Sequence, residues 1–260
     1  MRVTLMGTGD AVGVPAPLCD CEYCAASERR RRPAVLVEVD DRRLVLDIGP
    51  DIADQLHELE VYEVDGFFAT HAHFDNYWGI NELNQAAMDT HVQNEGEFDH
   101  PTFGKEVTVY GSRPVRTFTE DTFPHILDHV EYVPLDPDEA VRTDAFDVRA
   151  FGIDHGTKAF PTQGYAVSTG DSTVIYAPDV DSVDSVPDFC TGADLLFFDG
   201  SVLGAEFHGD ADDLRAGARR FDADRVVATN VSEHMLECHT DDLDDASAFE
   251  VWSDFDRVTL

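Results

Sequence analysis

Thr70-His71-Ala72-His73-Phe74-Asp75-Asn76 is the stretch on which the reading of this chain turns. It follows Gly66-Phe67-Phe68-Ala69, a short apolar run that reads as a buried strand. It precedes Tyr77-Trp78-Gly79-Ile80-Asn81-Glu82-Leu83, which reads as the first turns of a helix. Two imidazoles on one strand-to-helix loop can converge on a single cation, and Asp75 beside them can serve a second. A lone histidine is more often structural, but H-x-H-x-D after a buried strand is a much rarer arrangement.

Working outward, apolar runs of strand length recur at 2–6, 34–39, 43–47, 66–70, 107–110, 146–153, 163–168, 172–177, 194–199 and 225–229. Helical patterns intervene near 51–59, 76–88, 113–122, 211–221 and 241–251. Strands interspersed with helices fit an α/β layered domain. A chain of 260 residues can bury a substantial core, and a single domain over 1–260 is expected. No apolar run is long enough to cross a membrane. Met1-Arg2-Val3-Thr4-Leu5-Met6-Gly7 opens directly as a strand without signal-peptide organisation, so the expected location is cytoplasmic. Segment 89–106 is polar, without a period and long for a connection; it is a candidate lid, against the plainer reading of a surface loop.

The formal charge is -35, from 53 Asp and Glu against 18 Lys and Arg, spread along the whole chain. Such a surface repels itself in ordinary buffer. At molar salt the Debye length falls to roughly 3 Å and the repulsion is screened. An acid-rich, lysine-poor chain with a normal apolar fraction therefore points to a salt-accumulating halophile. The charge reports the solvent rather than the substrate.

Other constellations stand at strand ends. Phe146-Asp147-Val148-Arg149-Ala150-Phe151-Gly152-Ile153 runs into Asp154-His155-Gly156, and Thr173-Val174-Ile175-Tyr176-Ala177-Pro178 runs into Asp179. The place where a strand gives way to a loop is the usual place for ligands on an α/β sheet. Near the start, Cys19-Asp20-Cys21-Glu22-Tyr23-Cys24 sets three thiols in C-x-C-x-x-C spacing, which suggests a metal clip rather than disulfides. Three thiolates need a fourth ligand for a closed tetrahedral site. Cys190 reads as a core thiol. Arg29–Arg32 read as a solvated turn, with a grip on an anionic substrate as the alternative.

The pattern T-H-x-H-x-D-H belongs to the metallo-β-lactamase superfamily, and this chain resembles it at every position but the last, where Asn76 stands in place of histidine. The resemblance implies a four-layer αββα sandwich with ligands on loops along one edge. It assigns His71, His73, His155 and Asp179 to a first metal position with a place left open for water. The second position would take Asp75, Asn76, Asn230 and Asp179. Asn230, in Thr229-Asn230-Val231-Ser232-Glu233-His234, replaces the family's late histidine. An oxygen-only second set suits Mn²⁺ or Mg²⁺, or stays empty; catalysis with one or mixed metals and a dead site both remain open. By the same resemblance His234 closes the cysteine clip around a structural zinc, with Cys238 and His239 in reserve, and the active-site ion is zinc or manganese.

Gly7-Thr8-Gly9-Asp10-Ala11-Val12-Gly13-Val14-Pro15, the clip, and Leu46-Asp47-Ile48-Gly49-Pro50-Asp51 resemble one branch in particular, the phosphonate-pathway cyclic-phosphate phosphodiesterases. The likeness spans residues 1 to about 240 in matching order. It implies hydrolysis of a small cyclic or nucleotide-like phosphodiester. In that chemistry His208 protonates the leaving oxygen, and Asp75 orients the water or holds a second ion. Pyrroloquinoline quinone B-type relatives keep the clip while their metal centre diverges. Two alternatives stand beside this reading: a degenerate zinc-binding protein, and a hydrolase of another ester class, thioester or RNA. A nucleic-acid partner is disfavoured by the absence of a basic patch beyond Arg29–Arg32, and a homodimer stays open.

Overall fold

The computed structural model describes residues 1–88, 104–156, 160–201, 211–231 and 249–260. Among them the chain forms two seven-stranded mixed sheets. The first holds β1 (Arg2–Gly7), β2 (Ala34–Val39), β3 (Arg42–Leu46), β4 (Gly66–Ala69), β5 (Thr108–Gly111) and β6 (Glu131–Pro134), with β14 (Arg257–Thr259) outside β1. The second holds β7 (Ala140–Arg142), β8 (Asp147–Ile153), β9 (Thr162–Thr169), β10 (Ser172–Ala177), β11 (Leu195–Asp199), β12 (Val226–Thr229) and β13 (Glu250–Val251) in sequential order. Each sheet is antiparallel through its first strands and turns parallel after β3 or β10.

Strand alternation sorts the side chains into three cores and so into four layers. Along β2, Val35 and Val37 face the second sheet while Ala34 and Leu36 face outward. The same switch separates Phe68 from Phe67 and Ala69 on β4, and Leu195 and Phe197 from Leu196 and Phe198 on β11. Between the sheets Phe68 stacks on Tyr110 at 4.7 Å and meets the edge of Tyr165 at 5.4 Å. Truncating Phe68 to Ala would cost about 3–5 kcal/mol. The outer face of the first sheet is covered by α2 (Ile52–Glu58), α4 (Ile80–Ala87) and α5 (Arg113–Thr122), and that of the second by α6 (Ala211–Arg220). This is the expected αββα sandwich.

The differences from expectation have local causes. The helix expected over 76–88 is two, α3 (Phe74–Tyr77) and α4, because Gly79 meets the loop after β3. Its N–H donates to the Ile48 carbonyl at 2.8 Å, and a Cβ there would lie 2.1 Å from the Gly49 carbonyl oxygen. Where a helix was expected through 241–251, Glu250–Val251 is a parallel edge strand; 241–248 lie outside the described residues. The short helix α1 (Glu22–Ala26) was not anticipated; the Cys21 sulfur caps it by accepting from the Cys24 N–H at 3.4 Å. The lid candidate falls outside the described residues over 89–103.

Arg29 is exposed, but Arg30, Arg31 and Arg32 are held in the fold rather than in a solvated turn. Arg31 pairs with Asp54 and Asp254 and lies over the Phe255 ring at 4.7 Å, its side chain only 12% exposed. Arg32 pairs with Asp51 and donates to the Ala11 and Val12 carbonyls. Arg30 donates to Thr8 and the Trp252 carbonyl, and Arg29 pairs with Asp51 and Asp54. The run pins the N-terminal loop to the C-terminal segment, and the charges of Arg29, Arg31 and Arg32 are matched by acids of the fold.

Candidate metal centre

The strand β4 ends at Ala69, and Thr70 and His71 continue from it at full burial. His73 caps α3 with extended backbone, which turns the chain so that its ring comes back toward His71. The loop after β8 brings buried His155 across from the second sheet. The three ring centroids lie 4.4, 5.1 and 5.2 Å apart, and one ligating nitrogen of each falls within 4.8 Å of the others. His155 Nε2 is 3.4 Å from His73 Nδ1 and 4.0 Å from Asp179 Oδ1. The edge of a tetrahedron built with metal–nitrogen bonds of about 2.0–2.1 Å is about 3.3–3.4 Å. The donor set and this spacing fit a transition-metal ion.

Behind His71 lies a buried network. Its Nδ1 is 3.0 Å from the Thr70 hydroxyl, which donates to Asp47 at 2.9 Å, so Nε2 is the nitrogen left for a metal. Asp47 also accepts from the Thr70 N–H at 2.8 Å, the Asn76 amide at 2.9 Å and the Tyr176 hydroxyl at 3.0 Å. Burial raises the Asp47 carboxyl to about 7, with those hydrogen bonds acting in the opposite sense. Burial, and then the charge of Asp47, holds Tyr176 well above the ordinary tyrosine range.

The asparagines sit on either side of Asp179, which is buried after β10. Asn76 Nδ2 donates to Asp179 Oδ2 at 3.1 Å, and Asn230 Nδ2 donates to Asp179 Oδ1 at 3.1 Å and to the Pro178 carbonyl at 2.6 Å. The structure therefore brings Asn76, Asn230 and Asp179 together as the sequence suggested, but turns amide nitrogens toward the carboxylate where oxygen ligands were expected. Asp75 is buried in the first turn of α3.

At the other candidate site the sulfurs of Cys19, Cys21 and Cys24 lie within 4.8 Å of one another. Cys24 Sγ accepts from the Ala16 N–H at 3.2 Å, an arrangement that suits a thiolate. His208, His234, Cys238 and His239 lie outside the described residues. Cys190 is a core thiol whose pKa burial pushes up to about 12. Sequence reasoning passed over Phe160, whose ring meets His73 at 5.6 Å. It quoted Thr70, Asp47 and Tyr176 only as parts of a motif or a strand and gave them no role.

A family model described as a beta-lactamase superfamily domain matches residues 42–240. Two solved structures are similar over the whole chain. One is a diphosphatase from the PhnP family, 23% identical with a TM-score of 0.77, matched over 100% of this chain and 97% of that one. The other is zinc-bound PqqB from Methylobacterium extorquens, 17% identical with a TM-score of 0.78 and full coverage of both chains. Ribonuclease Z of Staphylococcus carnosus is 22% identical over 176 residues, 64% of this chain. The chain spans about half or less of the curated relatives it matches: 49% of that ribonuclease Z, and 18% of an octanoyltransferase of Porphyromonas gingivalis, 33% identical over 87 residues, 32% of this chain.

Proposed function

Because the chain belongs to the beta-lactamase superfamily, we propose that it is a metal-dependent hydrolase of small phosphodiesters, cyclic or nucleotide-like, with its metal on His71, His73, His155 and Asp179. The observation that carries the metal centre is the 3.4 Å separation of His73 Nδ1 and His155 Nε2, with Asp179 Oδ1 4.0 Å from the latter. When bound there, zinc or manganese supplies Lewis acidity and lowers the pKa of a water. The chain's own part is to hold the ligands still: Thr70 fixes the His71 ring, and Asp47 fixes Thr70. Asp75 orients the attacking water, and His208 gives a proton to the leaving oxygen. The diester preference is supported by the Gly7–Pro15 start and the cysteine clip, which this chain shares in sequence with the cyclic-phosphate phosphodiesterases. The clip would hold a structural zinc on Cys19, Cys21 and Cys24 with His234. The acidic composition supports work at molar salt.

The test is a substrate panel in molar KCl: a nucleoside cyclic phosphate, bis(nitrophenyl) phosphate, nitrophenyl phosphate, a thioester and a tRNA precursor. Turnover of the diesters well above the monoester is the expected result. Preference for the thioester or the RNA would move the protein to another ester class, and inactivity of a folded, metal-loaded protein would leave a zinc-binding protein of this fold.

A further inference from the structure

We propose that the second metal position is closed in this chain, and that the side-chain amides of Asn76 and Asn230 hold Asp179 there in place of a second cation. The inference rests on the metallo-hydrolase reading only for the ion at the histidine cluster. Asp179 is buried and receives one amide on each carboxylate oxygen, Asn76 on Oδ2 and Asn230 on Oδ1, both at 3.1 Å. The remaining N–H of Asn76 goes to Asp47 Oδ2 at 2.9 Å, and that of Asn230 to the Pro178 carbonyl at 2.6 Å. All four N–H bonds of the pair thus meet acceptors.

That count fixes which way each amide points. Turning Asn76 over would set its oxygen against the Asp179 carboxylate and would take its N–H away from both Asp179 and Asp47. Turning Asn230 over would set its oxygen against a carboxylate and a carbonyl. An amide nitrogen has its lone pair delocalised into the carbonyl and does not ligate metals, so neither atom facing Asp179 is a ligand. What the two amides can still offer a cation is their oxygens, which are buried and make no hydrogen bond among the described residues. Those oxygens are what the test must exclude.

The same contacts give Asn76 a second task. From His71 through the Thr70 hydroxyl, Asp47 and the Asn76 amide to Asp179, each neighbour lies within 3.1 Å. A ligand from the first sheet and one from the second are joined by this relay without a cation between them. Asn76 is a positioning residue. Asp179 Oδ1 accepts the Asn230 amide N–H and lies 4.0 Å from His155 Nε2.

The experiment counts ions in molar KCl. Protein stripped and reloaded with zinc is passed through a desalting column equilibrated in the same salt and analysed for zinc, then titrated with Mn²⁺ while free Mn²⁺ is read by electron paramagnetic resonance. Wild type should carry one zinc more than His71→Ala with His73→Ala, and should take up no Mn²⁺ at concentrations to about a millimolar. Asn76→His with Asn230→His should gain one further zinc. Uptake of a stoichiometric Mn²⁺ by wild type, lost in Asn76→Leu, would mean that the amide oxygens are ligands and would overturn the proposal. A readout on wild type alone guards against variants that fail to fold: with ¹⁵N-asparagine labelling and the pairs assigned, so that buried Asn84 is counted apart, the side-chain amide pairs of Asn76 and Asn230 should resist solvent exchange with and without metal. Exchange of these two at the rate of exposed asparagines would also overturn it. If the histidine cluster binds no ion while the two amide pairs stay shielded, the hydrolase reading falls and the clamp stands.

Discussion

Replacing Asp47 by Asn separates the charge of the buried carboxyl from its shape. Burial lifts this group to about 7, against about 3.9 for an ordinary aspartate, even though Asn76, Thr70 and Tyr176 all donate to it. A carboxyl raised in the folded state keeps its proton after the unfolded chain has lost it. Its contribution to stability is therefore complete below about pH 4 and is lost as pH rises through about 7. Three units at about 1.4 kcal/mol each amount to about 4 kcal/mol over the full range, and about 2.5 kcal/mol between pH 5 and pH 7.5. Asn at position 47 has no such proton, and it tolerates the positive φ of 64° found there. Histidines and other carboxylates titrate in both proteins and cancel in the difference. The assay is urea unfolding in molar KCl with chelator, followed by tryptophan fluorescence at half-unit steps of pH. Wild type should lose about 2.5 kcal/mol relative to Asp47→Asn across that window. A difference independent of pH would show that Asp47 is ionised throughout, its four donor contacts outweighing burial.

Four further outcomes are expected. Cys21→Ser should lower the melting temperature and remove one zinc while leaving the histidine-cluster ion in place, since closed structural zinc sites contribute directly to folding free energy; an unchanged melting temperature would speak against a structural clip. His155→Ala should abolish binding at the cluster with the fold intact by circular dichroism, and retention of that ion would remove His155 from the ligand set. His208→Ala should slow a diester with a poor leaving group about 10²–10⁴-fold while sparing one that releases nitrophenolate; equal losses on both would assign His208 to binding or structure. Raising KCl from about 0.1 M to about 2 M should raise the melting temperature steadily as the -35 charge is screened, and a flat or falling profile would detach the composition from high salt.

The central strands were legible because alternation and burial coincide in them: Val35 and Val37 against Ala34 and Leu36, or Phe68 against Phe67, sort two faces within a few residues. The edge strands were not. Ala140-Val141-Arg142 and Glu250-Val251 are short and partly exposed, too short to show an alternation of their own; the first pairs locally with Asp147-Val148-Arg149 and the second with Val227-Ala228, more than twenty residues away. The break at Gly79 depends on the approach of Ile48-Gly49, a tertiary contact with no local signature. In the site, the H-x-H-x-D pattern marked His71 and His73, while His155 and Asp179 stood out only as polar residues at strand ends, and it was the family resemblance that joined the four into one ligand set. The sequence marked Asn76 and Asn230 as departures but could not say which end of each amide would face Asp179. That depends on Asp47 and the Pro178 carbonyl, which come close only when the two sheets pack. The arginine run misled for the same reason: its acidic partners Asp51, Asp54 and Asp254 are far away in the chain.

The most direct measurement is diester turnover during stepwise return of zinc to stripped protein in molar KCl, with occupancy at the clip and at the histidine cluster determined at each step. Activity should rise in proportion to occupancy of the cluster and level off when that single position is full. No turnover at full occupancy, or activity that waits for a second ion beside the cluster, would contradict a one-metal hydrolase built on His71, His73, His155 and Asp179.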